Sequence, residues 1–396
     1  MKDIIFLFSK DAMSYENLPL YGNKYWKTPN FDAMAAKGTV FYNHYTAATS
    51  TSMVFSSMLT GKYPHEFINR KRYVHVTPNE HRSIYDDLQE LGYDCHILWS
   101  VDYTTGAWPY VREFGDEEKT KFHIVDMHQP VGLHRKKGSE LVRSDELIEK
   151  TYNNIINELE SIKKKEKQFI WLHLPHVLKG RISYGDDIDI VDRVLGFVRQ
   201  RYGDDNIYIT ADHGHMNYHK NIMGYGFHVY DLACKVPLIV PRINNRERVD
   251  ALTSHVDLKT IILENKIIER EYVYVDSQYY TQPDRKLAVI DNRYKYIYNK
   301  KGKTEELYDL HWDPEERFNL LEGERYDEEK KQLRSTRELY FYPYFSDVEK
   351  AYLELKRLKD EIWRVGTFKD EFNAWIRNEV LKFKKKRLAK KQLKEL

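Results

Sequence analysis

The stretch that most constrains this chain is Asn206-Ile-Tyr-Ile-Thr-Ala-Asp-His-Gly-His215. Ile207-Tyr-Ile-Thr210 is short and apolar or β-branched throughout, as a strand buried inside a sheet requires. It runs directly into Asp212, His213 and Gly214. A buried strand with that ending delivers a carboxylate and an imidazole to the carboxyl edge of a sheet, where open α/β sheets bind ligands. Oxygen and nitrogen donors side by side suit Zn²⁺, Mn²⁺ or a similar divalent cation. Gly214 lets the backbone turn away without a side chain blocking the site. Alone, the same residues also read as a strand end with a turn and a solvated histidine, so the rest of the chain decides.

Ile4-Ile-Phe-Leu-Phe8 is a second continuous apolar run, with Asp11 just past its end. Thr28 and Pro29 open a helix that Gly38 closes. Val40-Phe-Tyr42 reads as a strand, and the hydroxyl-rich segment from Thr46 enters a helix that stops at Gly61. Further helices are expected over residues 83–91, 144–165 and 188–202, and strands over 93–99 and 168–173, the last followed by Pro175 and His176. Alternating strand and helix predicts an α/β fold, a mostly parallel central sheet with helices on both faces. Short strands over 272–276, 287–291 and 294–298 predict a small C-terminal antiparallel β subdomain. From Arg334 onward the chain reads as a charged helical tail. The expected division is a catalytic domain over 1–260, the small β subdomain over 261–330 and the helical extension over 331–396.

Composition narrows the function classes. A net charge of +2 over 396 residues gives no electrostatic case for nucleic acid. The two cysteines, Cys95 and Cys234, lack metal-ligand spacing, exclude a disulfide framework and read as small core hydrophobes. The N-terminal apolar run is too short and too soon charged for a signal peptide, and no stretch approaches a membrane span, so a cytoplasmic protein is expected.

Several stretches together resemble the alkaline phosphatase superfamily in its sulfatase-like branch. They are residues 28–38, Ser56-Ser-Met-Leu-Thr-Gly61, Gly92-Tyr93, Ala211-Asp-His-Gly214, Lys235-Val-Pro-Leu-Ile-Val240, Ser254-His-Val-Asp-Leu258, Arg293-Tyr-Lys-Tyr-Ile-Tyr298 and residues 306–320, in that order. The resemblance implies a nucleophile at Thr51 and a metal site formed by Asp11, Thr51, Asp212 and His213. Where a sulfatase has Cys or Ser followed by Pro and Arg, this chain reads Thr51-Ser-Met-Val-Phe55, so formylglycine cannot form. Threonine there resembles phosphodiesterases, phosphoethanolamine transferases and phosphoglycerol transferases. The paired Asp of the first metal strand is reduced to Asp11 followed by Ala12, and Trp99-Ser100 replaces a family lysine. His213, where many sulfatases have Asn, favours Zn or Mn over Ca.

The expected activity is therefore a metal-dependent phosphohydrolase or phosphotransferase acting through Thr51 on a phosphodiester, phosphonate or phosphorylated glycan or lipid headgroup. A sulfuric ester hydrolase and an inactive sulfatase-like binding module are the alternatives. His176 and His228 are expected to contact the transferred group or protonate the leaving oxygen, with His173 and His215 competing for those roles and Ser50 and Ser52 competing with Thr51. Specificity is expected in residues 100–138, with Trp108 and Arg112 as substrate contacts and His123, His128 and His134 nearby. The basic segment 380–396, interleaved with Leu381, Phe383 and Leu388, is expected either to fray in solvent or to touch the anionic inner face of a membrane.

Overall fold

The computed structural model describes residues 2–67, 81–100, 120–127, 144–175, 184–217, 219–222, 224–277, 285–322 and 338–363. His176, Trp108, Arg112 and the basic segment 380–396 lie outside them. Eight strands form one sheet: β1 (Ile4–Lys10), β2 (Thr39–Tyr45), β3 (Asp94–Ser100), β4 (Thr120–Val125), β5 (Gln168–Leu174), β6 (Ile207–Ala211), β7 (Leu238–Val240) and β8 (Arg248–Ser254). Their order is β4-β3-β5-β1-β6-β7-β2-β8. Only β7 runs against its neighbours, β6 and β2; the other pairings are parallel. The carboxyl ends of β1, β2, β5 and β6 therefore share one edge.

The central strands show why they form. Ile5 and Leu7 of β1 enter one core with Phe169 and Trp171 of β5, while Phe6 and Phe8 enter the other with Ile170 and Leu172. Alternate residues point to opposite faces, and both faces are dry, hence the unbroken apolar runs. Each such side chain contributes about 1.5–3 kcal/mol on full burial. Helices α1 (Pro29–Lys37), α2 (Thr51–Thr60), α3 (Pro64–Phe67), α4 (Ile84–Glu90), α5 (Ser144–Ser161), α6 (Tyr184–Tyr202), α7 (Asp231–Cys234) and α8 (Leu258–Glu264) follow along the chain. α2, α4 and α8 cover the first face and α1, α5 and α6 the second. Both cysteines are buried and free, as expected.

A second, antiparallel sheet has the order β12-β11-β10-β9, from β9 (Val273–Asp276), β10 (Lys286–Ile290), β11 (Tyr294–Asn299) and β12 (Thr304–Asp309). Helix α9 (Glu338–Trp363) packs on it through Val348 and Leu355, which meet Val289, Tyr296 and Leu307. The two sheets share a core of Tyr45, Cys234 and Leu252 with Val273, Ala288 and Ile297. Among the described residues no helix is long and apolar enough to cross a membrane.

Four strands depart from the sequence expectation: β4, β7, β8 and β12 were not anticipated. β7 has only three residues, and the other three are edge strands. Edges carry charge and alternate only on one face, so their apolar signal is weak; β4 exposes Lys121 and β8 exposes Arg248. The segment 100–138 is thus not a loop throughout. His123 sits within β4, against His96 and Glu158 at 2.9 and 2.6 Å.

Candidate active site and metal centre

Asp212 and His213 follow β6 and are fully buried. Asp212 Oδ1 accepts hydrogen bonds from the N–H groups of Ala12 (3.0 Å) and His213 (2.7 Å). The Ala12 amide is aimed by a left-handed backbone, φ 54°. For a residue with a Cβ that conformation costs on the order of 1–2 kcal/mol. Asp212 Oδ2 accepts no hydrogen bond, although it is buried. His213 Nδ1 donates to the carbonyl of its neighbour Gly214 at 3.0 Å. In the neutral ring this places the lone pair on Nε2. Nε2 lies 3.3 Å from Thr51 Oγ1, 3.5 Å from Asp212 Oδ2 and 3.6 Å from Asp11 Oδ1.

Asp11, Asp212 and His213 each offer a ligand atom within 4.8 Å of the others. Two carboxylates buried side by side are costly without a cation. Burial pushes the Asp212 carboxyl up, to about 6; His213, the Ala12 amide and the Thr51 hydroxyl oppose the rise, and the charge of Asp11 adds to it. The orphaned Asp212 oxygen and the mixed oxygen and nitrogen donors fit a divalent metal. The adjoining Lys10 does not take that role. Its buried ammonium pairs with Asp187 at 3.0 Å and donates to the carbonyl of Asp11 at 2.9 Å.

Gly214 is needed for a different reason from the one expected. A Cβ there would stand 1.9 Å from the carbonyl oxygen of Leu232. The glycine admits the backbone of α7 rather than clearing the metal face, and its N–H donates to the carbonyl of Ala233 at 2.9 Å.

Thr51 is the first residue of α2, after Ser50 in extended conformation, φ −142°. Its hydroxyl faces His213 Nε2 at 3.3 Å, beside the Asp212 carboxylate. The preceding turn is clamped to the end of β9: Thr49 N–H donates to Asp276 O and Asp276 N–H to Ala47 O, each at 3.0 Å.

His228 is not part of this knot. It stacks on Tyr230 at 5.7 Å and lines a cleft of about 400 Å³ with Tyr225, Phe227, Lys286 and Lys301. Burial, reinforced by the charge of Lys286, holds its imidazole down at about 4. That shift disfavours the charged form, and the ring stands on the cleft wall, where a hydrogen-bonding contact fits. Tyr225 joins the two regions, since its ring lies 4.4 Å from that of His213. The charge of Asp11, then burial and the charge of Asp212, push its phenol up. Sequence reasoning missed Tyr225. Its signal was the flanking pair Gly224 and Gly226, both with left-handed φ. His215 lies 6.0 Å from the Tyr225 ring. His173 is buried against Phe55 and Trp99, with Nδ1 2.8 Å from Ser9 Oγ, and burial holds it neutral.

Comparison with known proteins bears on the fold. Residues 2–177 match the family model Sulfatase. An ulvan-active sulfatase of Formosa agariphila is 25% identical over 391 residues, covering 81% of this chain and 64% of that protein. The chain thus spans less than two thirds of that relative. A 2-O GAG sulfatase superposes with a TM-score of 0.59 at 17% identity, over 90% of this chain and 94% of that one. A phosphonate monoester hydrolase of Agrobacterium radiobacter superposes with a TM-score of 0.58 at 16% identity, over 84% and 96%. At these identities the superpositions establish the fold.

Proposed function

Residues 2–177 carry a sulfatase-family segment on a sulfatase-like fold, and on that premise we propose that the chain is a metal-dependent hydrolase of a sulfuric ester on a sugar or other small molecule, with the Thr51 hydroxyl as attacking group. The observation that carries this reading is the meeting of Thr51 with Asp11, Asp212 and His213 at one buried sheet edge. The sulfatase relatives support sulfate as the group and a glycan as its carrier.

Asp11, Asp212 and His213, beside Thr51, would hold the cation, Zn²⁺ or Mn²⁺ in preference to Ca²⁺ because one donor is an imidazole. When bound, it lowers the pKa of the adjacent hydroxyl and offsets charge on the ester oxygens. The protein supplies the rest. Asp212 accepts the Thr51 proton as Oγ1 attacks. The Oγ1–sulfur bond forms while the ester sulfur–oxygen bond breaks, and the electron pair leaves on the substrate oxygen, which takes a proton from solvent. Water then attacks sulfur, releasing hydrogen sulfate and restoring the hydroxyl. The N–H groups at the start of α2, which Ser50 does not cap, receive the anionic oxygens, and the cleft beside Tyr225 takes the alcohol portion.

Thr51 itself favours a second reading, a phosphodiester or phosphonate ester. Threonine cannot form an aldehyde hydrate, so the intermediate must be resolved by water in either case, and a phospho-threonine is the ordinary intermediate of that kind. One panel separates the two: turnover of aryl sulfate, aryl phosphodiester and aryl phosphonate by the full chain loaded with Zn²⁺ or Mn²⁺. Thr51→Ala should lose at least about 10³-fold in turnover while keeping its metal, and Thr51→Ser should retain part. Undiminished turnover in Thr51→Ala would remove the hydroxyl from the chemistry.

A further inference from the structure

The metal turn, the nucleophile strand and the loop after β1 all rest on one short helix, α7. Its carbonyls and the next one are shared among them. Leu232 O accepts from Ser14 Oγ, Ala233 O from Gly214 N–H at 2.9 Å, Cys234 O from Thr46 N–H at 2.8 Å and Lys235 O from Tyr15 N–H at 3.2 Å. Gly214 adjoins His213, Ser14 and Tyr15 follow Asp11, and Thr46 begins the turn to Thr51. A helix of four residues cannot hold its own position; something must anchor it.

The anchor is Lys295 on β11, fully buried between the two sheets. Its ammonium lies 2.8 Å from Asp231 Oδ1, at the start of α7, and 2.9 Å from Glu316 Oε1. Glu316 Oε2 accepts the Asp231 N–H at 2.7 Å. Asp231 Oδ2 accepts the Tyr45 hydroxyl at 3.1 Å, at the end of β2. Glu316 is held in a left-handed backbone, φ 54°, while its carboxylate is directed into this cluster. A buried ion triad is rarely the most stable filling of such a space, since apolar side chains of similar volume do as well or better. What the triad provides is direction: an ammonium fixed on a rigid sheet gives α7 one permitted place.

We propose that Lys295 is a positioning residue for the metal centre, acting through Asp231 and the carbonyls of α7 on the loops that present Asp11, Thr51, Asp212 and His213. The small antiparallel sheet is then part of the metal site's construction. This rests on the reading of those residues as metal ligands.

The test is calorimetric titration of the metal-stripped full chain with Zn²⁺ and then Mn²⁺ alone, beside thermal unfolding, for Lys295→Met and for the neutral set Lys295→Met/Asp231→Asn/Glu316→Gln. Lys295→Met strands two buried carboxylates and should lower Tm by roughly 5–10 °C. The neutral set removes those charges and should recover most of that Tm. Its metal affinity should nevertheless stay roughly ten- to a hundredfold below wild type, the usual cost of losing the groups behind a ligand. A neutral set that binds the metal as tightly as wild type overturns the positioning role, whether or not Lys295→Met folds. A wild-type chain that takes up neither metal refutes the ligand reading, and the inference with it.

Discussion

Asp94 and Asp212 are aspartates at opposite edges of one sheet, in opposite electrostatic states. Asp94 opens β3 at the amino edge. Burial works to raise its carboxyl, but hydrogen bonds from Lys121, Lys165 and His96 outweigh it and hold the group well below the usual range. Asp212 follows β6 at the carboxyl edge, buried more deeply, with one oxygen free of hydrogen bonds and its carboxyl pushed up. At the amino edge the chain carries its own counter-cations. At the carboxyl edge it gathers two carboxylates and an imidazole whose ligand atoms lie within 4.8 Å of one another, a donor set that fits a cation. Cavity size misleads here. The larger cleft, about 600 Å³, opens beside Asp94, Lys121 and Lys165, where the charges already have partners. The smaller one, about 400 Å³, is lined by Tyr225, whose ring lies 4.4 Å from that of His213.

The largest expected effect tests that contrast at its strong end. Asp212→Asn should reduce metal affinity by more than about 100-fold and turnover with it. The stripped protein should lose little stability, because the substitution removes a buried charge whose Oδ2 accepts no hydrogen bond and which the charge of Asp11 opposes. Elemental analysis and thermal unfolding of the stripped variant read both. Full metal occupancy in Asp212→Asn would end the assignment.

Metal removal should then show a pH dependence. In the stripped protein the Asp212 carboxyl titrates at about 6, above its unfolded value of 3.8. The folded state therefore binds the extra proton, and the stability it confers is present below about pH 4 and lost as pH rises through about 6. The loss is on the order of 2–3 kcal/mol, at about 1.4 kcal/mol per tenfold change in proton affinity. A bound cation favours the ionised carboxylate and abolishes the loss. The gap between loaded and stripped stability in denaturant titrations should widen from pH 4 to pH 7. A constant gap would show that Asp212 does not face the cation.

The same contrast separates what was legible in the sequence from what was not. β1, β5 and β6 were legible because both their faces are dry, so their apolar runs are unbroken. The edge strands β4, β8 and β12 were not, because half of each faces water or charge. Asp11, Thr51, Asp212 and His213 were legible because each sits just past a strand or at the first turn of a helix, where local pattern fixes position. Tyr225 reaches His213 from a glycine-flanked loop, and Lys295 reaches Asp231 across 64 residues. Neither has a local signature. The shared carbonyls of α7 carry no side-chain signal at all. Pattern reading finds groups that chemistry needs at element ends and misses the backbone and ion contacts that hold those ends together.

The smallest effect lies at the weak end of the contrast. Asp94→Asn breaks contacts to Lys121 and Lys165, whose side chains are half exposed at 50% and 54%. Exposed partners of that kind contribute little, so the expected loss is at most about 1 kcal/mol. Its sign is opposite to that of Asp212. The folded carboxyl is depressed, so the stability it confers is present above about pH 4 and disappears as pH falls into the acid range. Over pH 3–5 the difference between wild type and Asp94→Asn should shrink on acidification, while that between stripped wild type and stripped Asp212→Asn should shift the other way. Metal affinity and turnover in Asp94→Asn should stay within about twofold of wild type, because its cations are supplied by the chain and lie at the far edge of the sheet. A larger change in metal affinity would mean that the amino edge takes part in metal binding, and that the two edges are one electrostatic system.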